Sequence, residues 1–183
     1  MRNRNRSRER GNQTLEFTII GIPLIFLIFS IANMCLSMLT MHTLQEAVEQ
    51  GARYVATRGS DCSSGTNTCT VTVQQIAGVV TAMASGISAS NLKVTLTPAA
   101  DTANAITCNP VTTCLSSCSA SCNSSRTITW PTSTNSDNSP GKDIIVSADV
   151  SLTAPMFMYW PGSAPQRISS TSFHAYSRQR LMF

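Results

Sequence analysis

Polarity is distributed very unevenly along this chain. From Phe17 to Met41, FTIIGIPLIFLIFSIANMCLSMLTM, 25 consecutive positions carry no charged side chain. At about 1.5 Å per residue, a helix of that length is about long enough to cross a bilayer. The pattern then changes from apolar on all sides to apolar on one. In HTLQEAVEQGARYVATRG, Leu44, Val48, Ala52 and Val55 recur at helical spacing, while Glu49 and Arg53 fall four apart on another side. Gly59 supplies a stop signal. The spacing predicts one helix from about Phe17 to Arg58, roughly 63 Å long at 1.5 Å per residue. Its first half is apolar all round and its second half amphipathic, so the second half must lie against a partner surface. Gly21 and Pro23 mark a weak point near its start, readable as a mild kink or as a hinge.

The remaining pattern supplies the partner. VQQIAGVVTAMASG places Ile76, Val79, Val80 and Met83 at helical spacing and ends at Gly86, which predicts a short second helix. In NLKVTLTP and DIIVSADVSLT, apolar and polar residues alternate, the signature of half-buried strands; a weaker strand is expected in RISSTSFHAYSR, Arg167 to Arg178. Together these predict an α+β fold: a long N-terminal transmembrane and amphipathic helix packed on a small antiparallel sheet, with a short second helix. Residues 99–142 are rich in Ser, Thr, Asn and Pro and poor in large apolar side chains, so little in them drives ordering except four cysteines. They read as an excursion stapled by disulfides. The cluster MFMYWPG, Met156 to Gly162, lies between the last two strands and is expected to plug the open end of the sheet rather than stand exposed as an adhesive patch.

Charge changes the picture at one end only. The net charge of +4 could suggest nucleic acid, but Arg2, Arg4, Arg6, Arg8 and Arg10 supply it, opposed locally by Glu9 alone. Beyond Gly11, basic and acidic side chains balance at eight each. No nucleic-acid partner is therefore expected. An arginine-rich flank ahead of an apolar helix is the positive-inside signal, which predicts a cytoplasmic N-terminus and an exported C-terminal part.

The cysteines agree with export. Cys35 lies in the apolar run, and Cys62, Cys69, Cys108, Cys114, Cys118 and Cys122 all lie beyond it. Six in an oxidising compartment read as up to three disulfides, with fifteen possible pairings and free thiols as the other reading. Zinc is disfavoured, because the only histidines are His42 and His174 and no CxxC pair occurs among the last four cysteines. No metal or cofactor is expected. The apolar run is too long for a signal-peptide core and lacks an A-x-A site. Met34 before Cys35 does not suit a lipobox. A retained, single-pass anchor is the reading that remains.

The N-terminal residues carry a family likeness. Basic residues, then Gly11, then Glu16 five positions on, then an apolar helix, resemble the processing site of type IV prepilins, with cleavage implied between Gly11 and Asn12. The stretch from GNQTLEFTIIGIPLIFLIF through QEAVEQGARYVATRG resembles the TadE-like pseudopilins of tight-adherence (Tad/Flp) pilus systems. The shared elements are the pair Glu16-Phe17, the proline Pro23, and Gly51-Ala52-Arg53-Tyr54-Val55-Ala56. The chain departs from the pattern in its excursion from Cys108 to Cys122, and in Asn12 as the first residue after the implied cut, where many major pilins have phenylalanine.

The resemblance implies a cytoplasmic leader (1–11), a transmembrane and amphipathic helix (12–58) and a periplasmic α+β domain (59–183). It also implies an inner-membrane precursor, trimmed by a prepilin peptidase, that assembles with other pilins or pseudopilins and the Tad inner-membrane platform. Glu16 would then meet the new N-terminal amine of a neighbouring subunit, because an unpaired carboxylate in an apolar bundle is costly while a paired one fixes register. A second reading is a membrane-anchored periplasmic adhesion or scaffold protein of the same system that never enters a filament. An enzyme is disfavoured. His174 and five acids, Asp61, Asp101, Asp137, Asp143 and Asp149, form no recognisable catalytic spacing, and neither G-x-S-x-G nor a phosphate-binding glycine loop occurs.

Overall fold

The computed structural model describes residues 6–58, 63–64, 67–68, 70–99, 102–132, 137–153, 157–158, 166–167 and 170–182, with side chains for 15–58, 70–99, 102–132, 137–151 and 172–182. The chain divides into two compact units, residues 1–39 and 40–183. Helix α1 runs from Arg6 to Ala56 and passes through Pro23 without interruption.

In the first unit, every large apolar side chain from Leu15 to Leu39 is more than half exposed. Two of its hydroxyls turn back on the helix itself. Thr18 Oγ1 donates to the Leu15 carbonyl at 2.9 Å and Ser37 Oγ to the Asn33 carbonyl at 2.9 Å. Such local bonds keep polar side chains compatible with apolar surroundings. This helix is long and apolar enough to cross a membrane.

Among the described residues the second unit contains the end of α1, α2 (Val73–Met83) and eight strands: β1 (Ser63–Ser64), β2 (Asn67–Thr68), β3 (Leu92–Pro98), β4 (Ile106–Cys108), β5 (Asp143–Thr153), β6 (Phe157–Met158), β7 (Gln166–Arg167) and β8 (Ser170–Arg180). Two-residue pairs β1–β2 and β6–β7 stand apart from a four-stranded antiparallel sheet ordered β4-β3-β5-β8. Its registers include Val94 opposite both Cys108 and Ala148, and Ser147 opposite Tyr176.

The predicted stripe of α1, Leu44, Val48, Ala52 and Val55, is fully buried. It joins one core with Ile76 and Val80 of α2, with Leu92, Val94 and Leu96 of β3, and with Ile144, Val146, Ala148 and Val150 of β5. Backbone and side-chain bonds fasten α1 to β8 and to the residues just after it. Gln45 Nε2 donates to the Tyr176 carbonyl at 3.3 Å, and the Met182 amide donates to the Ala56 carbonyl at 3.1 Å. The α+β expectation is met.

Several details differ. Helix α2 buries Val73, Ile76, Ala77 and Val80, whereas Met83, expected in the core, is 49 % exposed and Val79 is half-buried. The helix is turned by its entry. The Thr72 amide donates to Gln75 Oε1 at 3.0 Å, half of a capping box, and the Val73 amide donates to the Ile128 carbonyl at 3.1 Å. Val73 is thereby drawn inward. The last strand is shifted slightly toward the C-terminus, from the expected Arg167–Arg178 to Ser170–Arg180. Helix α1 ends at Ala56, and Gly59 lies outside the described residues.

The Ser/Thr-rich excursion contributes to the fold rather than only hanging from it. It supplies β4, and it sends Val111 and Trp130 into the core at 0 % and 1 % exposure. Two bridges staple it, Cys108–Cys114 and Cys118–Cys122. The first pair is completely buried and the second half-buried. Polar bonds complete the packing: Asn123 Nδ2 donates to the Thr107 carbonyl at 3.0 Å, and Arg126 Nη1 to the Cys118 carbonyl at 3.1 Å. Cys35 is a free, exposed thiol, and Cys62 and Cys69 lie outside the described residues. The plug expected from Met156 to Gly162 also lies outside them, apart from the backbone of β6.

Candidate processing and assembly site

The residues singled out near the N-terminus all lie on α1. Gly11 and Asn12 have helical backbone within it. Glu16 is exposed, and Phe17 beside it is 77 % exposed. Together with Ile20, Gly21 and Leu24, these two side chains line a shallow groove along one side of the helix. Spacings of one, four, five and eight from Glu16 bring these residues onto neighbouring turns.

Gly21 shapes the groove. A Cβ at that position would stand 3.7 Å from the Phe17 ring, so the ring lies down over the bare glycine one turn on. Phe17 is thereby laid along the helix beside Glu16. Pro23 adds a second backbone feature, since it offers no N–H to the carbonyl of Ile19 one turn earlier. Glu16 is the only charged side chain between Leu15 and Met41, set in a largely apolar surface. Moving such a surface from water to lipid or to a bundle of like helices leaves one carboxylate that has to find a cation or a proton.

The end of α1 explains the other shared motif in physical terms. A Cβ on Gly51 would lie 2.5 Å from Val80 Cγ2, so α2 approaches α1 where a side chain is missing. Ala52, Val55 and Ala56 are buried beside it. Arg53 instead points outward and pairs with Glu49, and the Arg58 guanidinium stands 4.0 Å from the centre of the Tyr54 ring. Each position of GARYVA therefore has a packing or surface role.

A family model described as TadE-like protein matches residues 11–53. Over this segment the chain is similar to TadE-like proteins. The match opens at Gly11, takes in Glu16, Phe17 and Pro23, and closes at Arg53, within the GARYVA motif. The match supports a component associated with Tad pilus systems. No curated protein and no solved structure matches the chain.

The groups weighed for catalysis are dispersed. His174 lies on β8 and pairs with Asp149 of β5, which Lys93 Nζ also approaches at 3.2 Å. Burial alone would raise the Asp149 carboxyl, but bonding to His174 and Lys93 outweighs it and holds the group below its ordinary value. Asp143 pairs with Arg178. Asp137 is buried, and neither of its carboxylate oxygens has a hydrogen-bond partner among the described residues. Asp61 and Asp101 lie outside the described residues. What sequence reasoning missed is the Lys93–Asp149–His174 row, whose members are 25 to 81 residues apart and become visible only through strand register.

Proposed function

We propose that this TadE-like chain is a minor pseudopilin, a structural or assembly component of a Tad pilus. On this reading it is made as an inner-membrane precursor with its leader in the cytoplasm and its C-terminal domain in the periplasm. A prepilin peptidase cuts between Gly11 and Asn12, which leaves Glu16 at the fifth position of the shortened chain. The apolar helix then exchanges lipid for the helices of other pilins or pseudopilins at the assembly platform, and Glu16 neutralises the free amine of a neighbour. The observation that carries this is the family match opening at Gly11, with Glu16 the single carboxylate on an exposed, apolar helical surface.

The N-terminus of the protein isolated from cells with and without the peptidase tests the first step. A chain beginning at Asn12 only when the peptidase is present is the expected result. A chain that keeps residues 1–11 in its presence overturns it. Glu16→Leu should still be cut and should fail to assemble, since it retains the apolar surface and removes only the charge.

A second reading is a membrane-anchored periplasmic scaffold or adhesion protein of the same system that stays out of the fibre. What favours it is the ordered, disulfide-held excursion from Cys108 to Cys122, which lies beyond the matched segment. Recovery with the membrane platform but not with sheared fibres separates it from the first.

A further inference from the structure

At one end the four-stranded sheet narrows to two strands that carry no charge. The β5–β8 ladder runs three pairs past the first residue of β3. Leu92 stands opposite Val150, and beyond it come only Ser151 with Ser172, Leu152 with Thr171 and Thr153 with Ser170. The acidic and basic side chains of the ladder, Asp143, Asp149, His174, Arg178 and Arg180, all lie on the other side of that point. From Val150 to Phe173 the sequence holds a single charged residue, Arg167. Within this span falls the β6–β7 pair, with Phe157 opposite Arg167 and Met158 opposite Gln166. Arg167 is three steps along the chain from Ser170, so β7 ends within about 11 Å of the ladder's open end.

Two bonds show which way this end points. Gln45 of α1 meets Tyr176, and Ala56 meets Met182. The helix rises about 16 Å between Gln45 and Ala56, and an extended chain covers about 20 Å between Tyr176 and Met182. The strand therefore runs alongside the helix in the same direction. Traced backwards, Thr40, where the second unit begins, lies only about 8 Å before Gln45, whereas Ser170 lies about 20 Å before Tyr176. The open end of the ladder thus projects about 12 Å beyond the level of Thr40, on the side from which α1 enters the domain.

Where α1 crosses a bilayer, that side is the membrane side. The uncharged run ends at Met41 and covers about 37 Å as a helix, more than a hydrocarbon core of about 30 Å, so its last turn lies at headgroup level. The composition of the projecting end suits that layer. Tyr159 and Trp160 directly follow β6, and tyrosine and tryptophan favour the membrane–water boundary. Arg167, opposite Phe157, is of the type that keeps its stem in apolar surroundings and its charge at the headgroups. Two strands with open edges cannot go deeper, because backbone groups in the hydrocarbon find no partner.

We propose that the open end of the β5–β8 ladder, with the β6–β7 pair beyond it, is a second membrane contact that sits in the headgroup layer and holds the domain against the lipid surface. On this view Met156 to Gly162 meets lipid instead of plugging the sheet. The proposal rests on α1 spanning a bilayer, and not on cleavage at Gly11 or entry into a filament.

The test is tryptophan fluorescence of the full chain in vesicles of phosphatidylcholine and phosphatidylglycerol, with and without bromine near the headgroup end of the acyl chains. The two tryptophans report separately, since Trp130 is buried in the domain core and Trp160 follows β6. Brominated lipid should lower the Trp160 emission, taken as the difference between the parent and Trp160→Phe, by about twofold or more. The emission of Trp160→Phe itself should not change. Phe157→Asp together with Met158→Asp puts a charge on each side of β6, which the lipid boundary resists. This double variant should lose at least about half of the quenching while it still floats with the vesicles through α1, and far-ultraviolet dichroism shows that it is folded. Floating protein whose Trp160 is not quenched, or is quenched as strongly in the double variant, overturns the proposal and leaves the anchor in place. Protein that does not float overturns the anchor reading and the proposal with it. Quenching that disappears as the protein is packed more densely in the bilayer would show a second copy covering this end, and would likewise overturn it.

Discussion

Helix α1 presents the same backbone over two stretches with opposite solutions for their apolar side chains. From Leu15 to Leu39 they are more than half exposed on every side, whereas Leu44, Val48, Ala52 and Val55 are completely buried against a sheet and a second helix. Helix propensity does not distinguish the two. The difference lies in the stripe: the second stretch concentrates apolar residues on one side and places Glu49 and Arg53 on another, so a single-sided partner can satisfy it. The first stretch has no polar side to leave in water, and only surroundings that are apolar all round suit it. One continuous helix thus contains a part that is finished within the chain and a part that is finished outside it.

Leucine truncation should break this comparison most sharply. Leu44→Ala removes a fully buried side chain and should cost about 2–5 kcal/mol. Leu27→Ala, at 56 % exposure, should leave the same unfolding transition within about 0.5 kcal/mol. Urea unfolding of the full chain in micelles, followed by the fluorescence of buried Trp130, measures both. Equal effects would mean that the two stretches fold as one body.

The two disulfides come next, since they contrast buried and half-buried staples within one excursion. Their loops close over 6 and 4 residues, so chain entropy gives each a similar contribution of about 2 kcal/mol. Burial separates them. Replacing Cys108 and Cys114 by alanine also disturbs fully buried packing, and should cost more than replacing Cys118 and Cys122. Mild reductant should open the half-buried bridge first, because exchange needs access to sulfur. Mass spectrometry after timed alkylation would report the order, and the reverse order would contradict this account of the excursion.

How much of this was legible depended on whether the signal was local. The apolar run, the α1 stripe and strands β3 and β5 announce themselves through period, because each buries a face whose residues are near neighbours in sequence. The charged pair Glu49–Arg53 is likewise a one-turn relation. Trp130 and β4 gave no such signal: Ile106–Cys108 is too short to show alternation, and Trp130 lies in a Ser/Thr-rich stretch whose composition suggests solvent. Both are placed by distant partners, β3 and the Val71 carbonyl, which accepts from the Trp130 amide at 2.9 Å. The rotation of α2 that exposes Met83 is of the same kind. In the candidate site, the spacing of Gly11 and Glu16 could be read from the sequence, whereas the role of Gly21 beneath Phe17 required coordinates.

Gly51 sharpens the comparison from the packed side. Gly51→Ala would place a Cβ 2.5 Å from Val80 Cγ2, on a short side chain with little room to move. Overpacking of this kind costs about 1–3 kcal/mol, and alanine's better helix propensity offsets roughly 1 of it. A net loss near 1 kcal/mol is expected. Gly21→Ala on the exposed stretch meets only ordinary contact with Phe17 at 3.7 Å and should be neutral or slightly stabilising. If both substitutions stabilise, the close approach of α1 and α2 is not required.

The smallest effect is electrostatic and belongs to the sheet face. His174 and Lys93 hold the Asp149 carboxyl below its ordinary value in the folded protein, so in the acid range the unfolded chain binds more protons than the folded one. Stability then rises with pH through that window. The contribution is fully present above the unfolded carboxyl value near 4 and is lost as pH falls through the lower, folded value. Asp149 is partly open to solvent, which screens its pairing, so the effect at neutral pH is that of an exposed ion pair, within about 1 kcal/mol. Urea midpoints of the parent and Asp149→Asn should therefore differ slightly at pH 7 and converge toward pH 3. A gap that stays constant down to pH 3 would show that asparagine had changed packing rather than charge.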